Sequence, residues 1–460
     1  MKSLWLPAHA KKGGCISSIR IINGSQSPMR LGQADTDESI LLKPGEILQY
    51  PWRSQKGRLM LRISLESVLH DAKWKWSEPF SIREGTFTSK IDYGAYINSI
   101  AISIQKKGTM KFTINLNGLI STANCLIKEN LEIRFILKKN FGFIGDCGKD
   151  DVRTVLTPNN SICNSHILQL DYVNAVKIRL SGIGTPWSGD IPVTETAKKN
   201  AILVRIPHKD KGKCITVWCR IIHEELSNGF KRILFIFSPM YVARSLLPNP
   251  LRLIVNPQKE DSVESEMILD GRDSVTTLET YESADTKYHL RFIVAKNLPP
   301  SEPVLLSWGI IEQVRDKSYN VGSIDCILEE LHQTNQAITK WPFMDGLTIE
   351  GHEINDQPKT DVQVTFTQLH PLCNTLCAEV NPWCLMINQI ESSLILKIDN
   401  GSLYSIKPYS VLVPPSLLNT TFYIGLTGRI IQYVTPNLRL TQKYAFIKKS
   451  KKSTIFMQSF

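Results

Sequence analysis

One short element recurs four times along this chain of 460 residues, and this repetition limits the possible folds more than any other feature. In its first copy Asn23 is followed by Ser27, by the alternating sequence Met-Arg-Leu and then by a Lys-Pro turn. A faithful copy begins at Asn388, and weaker copies begin at Asn124 and at Ser245, which replaces the asparagine. The four positions are 101, 121 and 143 residues apart. Such spacing predicts tandem copies of one folding unit.

A tryptophan element recurs in step with the first. Trp76 stands in "WSEPF", Trp187 in "WSGDIP" and Trp341 in "KWPF". A Ser-x-Pro sequence ends strand pairing, because proline cannot donate to a ladder. We therefore predict that the three tryptophans are equivalent, largely buried residues at the ends of their units.

The segments between these landmarks are short, apolar and often alternating, as in "ILVRIP" and "DVQVTF". Alternation over four to eight residues is typical of half-buried strands, and close spacing of such strands is typical of β-sandwiches. One stretch, 323–340, instead carries apolar residues at helical spacing behind Ser323, a possible cap. The chain is therefore predicted to be all-β, a tandem array of β-sandwich repeats with one inserted helix packed on the sandwich.

The landmarks divide the chain into four repeat units after a short N-terminal extension. The third unit contains the helical insertion near 323–340, and the last ends in a basic tail. The predicted boundaries are 1–14 for the extension and 15–117, 118–236, 237–375 and 376–460 for the units.

An asparagine at the start of each unit has a clear structural use. Its amide provides two donors and an acceptor, enough to bond a turn that leaves backbone groups unpaired. The sequence thus predicts a structural role for Asn23, Asn124 and Asn388, with any binding role added at one particular copy.

No pattern typical of catalysis is present. The chain contains no nucleophile elbow, P-loop or dinucleotide fingerprint, and apart from the pair Gly13-Gly14 its glycines occur singly. The most metal-like group is His370, Cys373, Cys377 and Cys384, but its His-x2-Cys-x3-Cys spacing is not that of a zinc site. We therefore expect no enzyme, no metal and no cofactor, and we expect these cysteines to lie in buried strands.

The net charge is +11, and its densest run is 448–453, with Lys448, Lys449, Lys451 and Lys452. Lysines near an anionic membrane surface contribute about 1 kcal/mol each, so this run is a possible lipid contact. No aromatic-basic motif or zinc-finger spacing accompanies the charge, which argues against nucleic acid. Neither a signal peptide nor an 18-residue apolar run is apparent, which predicts a cytoplasmic location.

Taken together, these repeats resemble one family. The order of asparagine, alternating strand, Lys-Pro turn and Trp-Ser-x-Pro is similar to the adaptor-binding region of the vacuolar protein sorting thirteen proteins, the bridge-like lipid-transfer proteins of organelle contact sites. The resemblance covers nearly the whole chain and is strongest at 18–85, 181–255 and 380–415. Within the family it is strongest to the Golgi-linked paralog associated with Cohen syndrome.

The resemblance implies an array of sandwich repeats, usually six where four are apparent here, that carries no lipid itself. It implies capture of adaptor proteins through short Pro-x-Pro motifs, mainly at the last repeats, and attachment to the remainder of a large lipid-transfer protein. The family's important final asparagine corresponds to Asn388. The apolar residues around it that would shape the adaptor site are Ile387, Leu394, Leu396 and Val411.

Two other functions remain open from the sequence. A basic β module could bind anionic phospholipid membranes directly, which the +11 charge favours. A purely structural spacer would bind no peptide at all. For the adaptor-binding alternative, we expect a protein that is peripheral at organelle membranes, at the Golgi or at other contact sites.

Overall fold

The computed structural model describes most of the chain between residues 18 and 459. For some strands, including all those beyond residue 428, it describes the backbone alone. The described ranges are 18–25, 27–54, 59–65, 75–92, 97–107, 111–127, 129–137, 152–156, 163–166, 173–182, 184–193, 201–208, 213–226, 230–259, 264–270, 274–278, 280, 285–294, 299–315, 322–338, 348–349, 361–398, 403–414, 422–426, 429–434, 445–448 and 454–459.

The prediction of an all-β fold with repeated units is confirmed. The first unit places one sheet, in the order β4-β1-β10-β9-β8, against a second built from β3, β2, β5, β6 and β7. Their alternating apolar side chains meet in one core that both sheets share. The strands are β1 (Ser18–Asn23), β2 (Met29–Gln33), β3 (Ile40–Leu42), β4 (Ile47–Tyr50), β5 (Met60–Leu65), β6 (Lys75–Trp76), β7 (Phe80–Ser81), β8 (Gly85–Asp92), β9 (Ile97–Lys106) and β10 (Lys111–Asn117).

The second unit repeats this plan around its own core. Its sheets have the orders β14-β11-β19-β18-β17 and β13-β12-β15-β16. The strands are β11 (Ile120–Asn124), β12 (Leu131–Leu137), β13 (Val152–Leu156), β14 (Cys163–His166), β15 (Val173–Leu180), β16 (Ile191–Pro192), β17 (Ile202–Pro207), β18 (Cys214–Glu225) and β19 (Lys231–Pro239).

The third unit has the sheets β23-β20-β28-β27 and β22-β21-β24-β25, and it carries the helical elements of the described chain. Its strands are β20 (Tyr241–Ser245), β21 (Leu251–Pro257), β22 (Ser265–Leu269), β23 (Ser274–Thr277), β24 (Tyr288–Ile293), β25 (Val304–Leu306), β27 (Val362–His370) and β28 (Cys373–Pro382). Between β25 and β27 lie a 3-10 turn (Trp308–Ile310), α1 (Ile311–Val314), α2 (Ile324–Ile338) and the short strand β26 (Thr348–Ile349).

The fourth unit has the sheets β26-β32-β29-β36-β35 and β31-β30-β33-β34, so β26 leaves the third unit to join it. Its other strands are β29 (Cys384–Asn388), β30 (Leu394–Ile398), β31 (Leu403–Ile406), β32 (Ser410–Leu412), β33 (Phe422–Leu426), β34 (Arg429–Val434), β35 (Ala445–Lys448) and β36 (Thr454–Ser459).

The first and last strands of a unit pair with each other. They run parallel in the first three units, as β1 with β10, β11 with β19 and β20 with β28. In the fourth unit β29 and β36 run antiparallel. Because the chain passes almost directly from each last strand into the next first strand, consecutive units share a short junction.

The predicted boundaries between units remain a prediction. The boundary predicted at 117/118 lies between β10 and β11. The boundaries predicted at 236/237 and 375/376 fall inside strands, the first in β19 and the second in β28. A signal that marks the asparagine at the end of a first strand gives no information on where the preceding last strand finishes.

The helix predicted near 323–340 is α2, and the Oγ of Ser323 accepts the N–H of Cys326 at 3.3 Å. Its apolar face packs on the second unit, together with Leu372 and Cys373 of the third. The buried Arg232 of β19 binds Asp325 of the helix at 2.8 Å. The helix therefore joins the second unit to the third.

Candidate functional site

Each unit contains a corner, which we define as the residue at the end of its first strand together with the turn it bonds. The corner residues are Asn23 in β1, Asn124 in β11, Ser245 in β20 and Asn388 in β29. All four are almost completely buried, at no more than 1% exposure. Equivalent placement of a buried polar group calls for local hydrogen bonds, since an unsatisfied one costs about 1–3 kcal/mol.

The fourth corner has the largest set of bonds to carbonyl groups. The Asn388 amide nitrogen donates to the carbonyls of Ser392, Ile406 and Lys407 at 2.9, 3.0 and 2.8 Å. Its Oδ1 accepts the N–H of Ile390 at 3.1 Å. The hydroxyl of Ser410 donates to the same Lys407 carbonyl at 2.7 Å. Asn388 thus fixes the turn that leads from β31 into β32.

The first corner is built in a similar way. The Asn23 amide nitrogen donates to the carbonyls of Ser27 at 2.9 Å and Leu42 at 3.1 Å. Its Oδ1 accepts from the N–H and the hydroxyl of Ser25. In addition, Gly45 donates its N–H to the Asn23 backbone carbonyl at 2.7 Å. The turn from β3 into β4 is therefore held by both side chain and backbone.

The two middle corners are smaller. Asn124 bonds one residue, Ile127, through both its amide nitrogen and its Oδ1 at 3.0 Å. Ser245 accepts a single bond, from the N–H of Leu247 at 3.3 Å. None of these bonds reaches a distant strand, and the single hydroxyl of Ser245 offers fewer donors than an amide does.

The outer edge of β32 carries an added strand. β26 pairs with it in parallel, with Thr348 opposite Ser410 and Ile349 opposite Val411. Among the described strands, the equivalent edge strands β4, β14 and β23 pair on one side only. The fourth unit is therefore the one in which this edge is extended by a segment from outside its own sandwich.

The apolar residues predicted to shape the site lie beneath this edge. Ile387 and Val411 belong to the core that the third unit shares with the fourth. Leu394 and Leu396 belong to the core between the two sheets of the fourth unit. All four are buried. They can set the position of β32, but a ligand could touch them only after a rearrangement.

Tyr409 is a residue of this corner that the sequence reasoning missed. It lies directly before β32, is 48% exposed and has a φ of 51°. Gly45 holds the matching place in the first corner at a φ of 73°. A left-handed conformation is costly for a residue with a Cβ, and such strain is found mainly where the surrounding structure imposes it. The aligned triplets Lys-Pro-Gly and Lys-Pro-Tyr were the available signal.

The two described tryptophans of the repeat stand in similar surroundings. Trp76 is half-buried under the Arg62 guanidinium, 4.2 Å from the ring centre. Trp187 is half-buried under that of Arg179, at 4.5 Å. Each is followed by a serine whose hydroxyl accepts a backbone N–H of the neighbouring strand at 3.1 Å. A stacked guanidinium covers each ring, and both tryptophans are partly buried.

The serine geometry recurs in the third unit at Ser301, which the sequence reasoning also missed. Ser301 accepts the N–H of Phe292 at 3.0 Å and donates its own N–H to the Phe292 carbonyl at 2.8 Å. Here Pro300 holds the tryptophan position. The shared triplet Ser-Glu-Pro at 77–79 and 301–303 would have revealed it. Trp341, the residue predicted for this role, lies outside the described residues.

The predicted lipid contact cannot be placed by side chain. Lys448 ends β35, where the backbone alone is described, and Lys449, Lys451 and Lys452 lie outside the described residues. No helix in the described ranges is both long and apolar enough to cross a membrane.

Of the metal-like group, His370, Cys373 and Cys377 lie in the hairpin of β27 and β28, whereas Cys384 begins β29 of the next unit. His370 is buried and its Nδ1 accepts the N–H of Leu372 at 3.1 Å, while burial lowers its pKa. The thiols of Cys373 and of Cys125 in the second unit are hydrogen-bonded to each other. This hydrogen bond and burial raise the pKa of Cys125. Within the described ranges no three His, Cys, Asp or Glu side chains lie close enough to hold a metal ion.

Comparison with known proteins gives a relationship over most of the chain. It is 28% identical over 417 residues to the human intermembrane lipid transfer protein VPS13B, covering 89% of this chain and 10% of that protein. The mouse protein of the same name is 28% identical over 418 residues, with the same coverage. The resemblance to the vacuolar protein sorting thirteen family is confirmed. The chain spans about a tenth of the length of these curated relatives, and no family model matches it.

Proposed function

We propose that this chain is a non-catalytic adaptor-binding region of a bridge-like lipid-transfer protein, and that the outer edge of β32 takes up an extended peptide of the Pro-x-Pro type. The observation that carries the proposal is the parallel pairing of β26 with this edge. Pairing with a segment from elsewhere in the chain supports the idea that the outward N–H and C=O groups of β32 can take an added strand, and a peptide that displaces β26 would use the same groups.

Asn388 gives this edge its fixed position. Its bonds to the Ile406 and Lys407 carbonyls hold the turn directly before β32. Asn388 is itself buried and cannot touch a peptide on the surface. It therefore acts as a positioning residue, whereas the exposed Tyr409 beside the edge is suited to direct contact with a ligand.

The ligand pattern follows from the geometry of parallel pairing. In a parallel ladder, alternate residues of a strand bond to a given neighbour. A Pro-x-Pro segment keeps the N–H of its central residue for β32, and its two prolines occupy positions where no donor is needed. Each ring can then contact exposed apolar surface such as the Tyr409 ring.

Because β26 and the peptide use the same edge, they must compete. The apparent affinity for a peptide falls by the fraction of molecules in which the edge is free. β26 has only two residues, so its pairing is weak and a peptide of several residues should displace it.

At the level of the whole protein, the relatives are named intermembrane lipid transfer proteins. We place the adaptor-binding role of this chain within such a protein, at organelle contact sites including the Golgi. Its partners are then adaptor proteins with proline-containing motifs and the remainder of the same lipid-transfer protein.

The test is a titration of the chain with a Pro-x-Pro adaptor peptide, with Asn388→Ser and Asn23→Ser as matched variants. Loss of the bonds to Ile406 and Lys407 should weaken binding about tenfold, equivalent to about 1.4 kcal/mol. Asn23→Ser should bind as the unsubstituted chain does. Far-UV circular dichroism must remain unchanged in both. Equal affinity of all three chains would refute the docking role of the fourth corner.

A second test addresses the competition. Ile349→Pro removes a backbone donor from β26, while Ile349→Val keeps it and serves as the control. The proline variant should bind the peptide about three- to tenfold more tightly, because the edge is free in more molecules. Liposome flotation of the same proteins separates a direct membrane function, which would follow anionic lipid content and fall with salt.

A further inference from the structure

A cavity lies at the junction of the second and third units. Its lining residues precede β32 in the sequence and include none from the fourth unit. It encloses about 250 Å³. One wall is β18 of the second unit, with Ile215, Thr216 and Val217. The other is formed by the edge strands β22 and β23, with Met267 and Thr277. At the junction of the third and fourth units, buried apolar residues of both units belong to one shared core.

The size and lining of the cavity fit a side chain better than a separate small molecule. Pockets for small ligands usually measure about 300–1,000 Å³. The walls are aliphatic side chains and threonines, with the flexible thioethers of Met240 and Met267, which adapt to the shape of an apolar guest.

One residue of the cavity wall has an unsatisfied hydrogen-bonding group. Thr216 is 3% exposed, and its hydroxyl finds no hydrogen-bond partner among the residues that the structure describes. Buried hydroxyls are nearly always bonded. A polar backbone group brought in by a ligand would satisfy it.

One of the strands that line the cavity, β22, is the edge of its sheet. Within the described chain β22 pairs only with β21, which leaves its outer edge without a neighbouring strand. Ile268 of β22 lines the cavity and is 56% exposed. Glu129 also lines the cavity, is exposed and supplies a negative charge. An added strand is favoured here by backbone pairing, and a basic residue in it by Glu129.

We propose that this junction is a second docking site, for an extended peptide that pairs with β22, places one aliphatic side chain in the cavity and carries a basic residue next to it. The peptide backbone meets the Thr216 hydroxyl. This site is independent of β32 and of Asn388, so each can fail without the other.

The experiment uses the whole chain with labelled methionine methyl groups, observed by NMR during titration with the capped peptide Thr-Val-Leu-Lys-Val-Thr. The signals of Met240 and Met267 should shift and saturate, while that of Met29, in the core of the first unit, should stay in place. Replacing lysine by aspartate in the peptide should weaken binding. Absence of saturable shifts at Met240 and Met267 would overturn the proposal.

The variant Thr216→Val keeps the shape of the side chain and removes its hydroxyl. Since that hydroxyl has no partner among the described residues, we expect no loss of thermal stability but about fivefold weaker peptide binding. Unchanged affinity in Thr216→Val would contradict the role given to the hydroxyl. Met267→Trp, which fills the cavity, should abolish the shift of Met240, and Asn388→Ser should leave the titration unaffected.

Discussion

The first and fourth corners each contain a buried asparagine and a Lys-Pro turn, yet the edge strands that follow these turns differ in their surroundings. In the first corner Gly45 adopts its left-handed φ without strain, and Tyr50 at the end of β4 donates to the buried carboxylate of Glu38. Burial and the contact with Glu38 raise the pKa of Tyr50, so this bond persists at alkaline pH. The first edge strand is thus tied down at both ends.

In the fourth corner the same left-handed place is held by the exposed Tyr409, and the edge is covered by β26 from outside the sandwich. Under the proposed function, this difference is what gives the fourth unit its binding role. The asparagine of the corner is the same in both units, while the turn residue and the segment that covers the edge strand differ. A common scaffold with one altered edge accounts for both.

The largest expected effect tests whether the hydrophobic cores of the first and fourth units are equivalent. Leu31 and Leu396 occupy matching positions and are both completely buried. Truncation of either to alanine should lower the unfolding free energy of its unit by about 2–5 kcal/mol, from lost burial and the cavity left behind. Native-state hydrogen exchange, resolved by unit, measures both. Costs that differ by more than a factor of two would show that the units are not equivalent.

A smaller effect is expected when the corner asparagines themselves are replaced. Asn23→Ala and Asn388→Ala each leave buried carbonyls without donors, at about 1–3 kcal/mol. Asn388 donates to three carbonyls and Asn23 to two, so we expect the larger loss in the fourth unit. The same exchange measurement reports it. A larger loss in the first unit would mean that Ser25 contributes more to that corner than the carbonyl bonds do.

The smallest effect concerns the turn residue, and its sign should reverse between the corners. Gly45→Ala places a Cβ at a φ of 73° and should destabilise the first unit by about 1 kcal/mol. Tyr409→Gly removes the Cβ at a φ of 51° and should stabilise the fourth unit by about 0.5 kcal/mol. Thermal denaturation of the two variants gives the signs. Destabilisation by Tyr409→Gly would show that packing of the Tyr409 ring outweighs the backbone strain.

The sequence predicted the elements whose signals are local. Alternation of Leu251, Leu253 and Val255 predicts a strand because side-chain direction in a strand depends only on sequence spacing. The corner asparagines were found because turns impose fixed offsets. The helix at 323–340 was found for the same reason, from its periodicity.

Long-range contacts gave no such signal. The packing of α2 on the second unit depends on Arg232 and Asp325, which are 93 residues apart. The pairing of β26 with β32 joins segments some 60 residues apart through backbone groups, which every sequence possesses. Trp341, predicted from the Trp-Pro-Phe stretch, lies outside the described residues, whereas the hydrogen-bonding serine of the repeat recurs in the third unit as Ser301.

The most direct measurement of the central claim is hydrogen exchange with and without a Pro-x-Pro adaptor peptide. Binding at the outer edge of β32 must release β26. The account therefore predicts faster exchange at Thr348 and Ile349 on addition of the peptide, continued protection of Ser410–Leu412, and no change in β4. Protection of Ser410–Leu412 without any release of β26, or a protected segment outside the fourth unit, would contradict it.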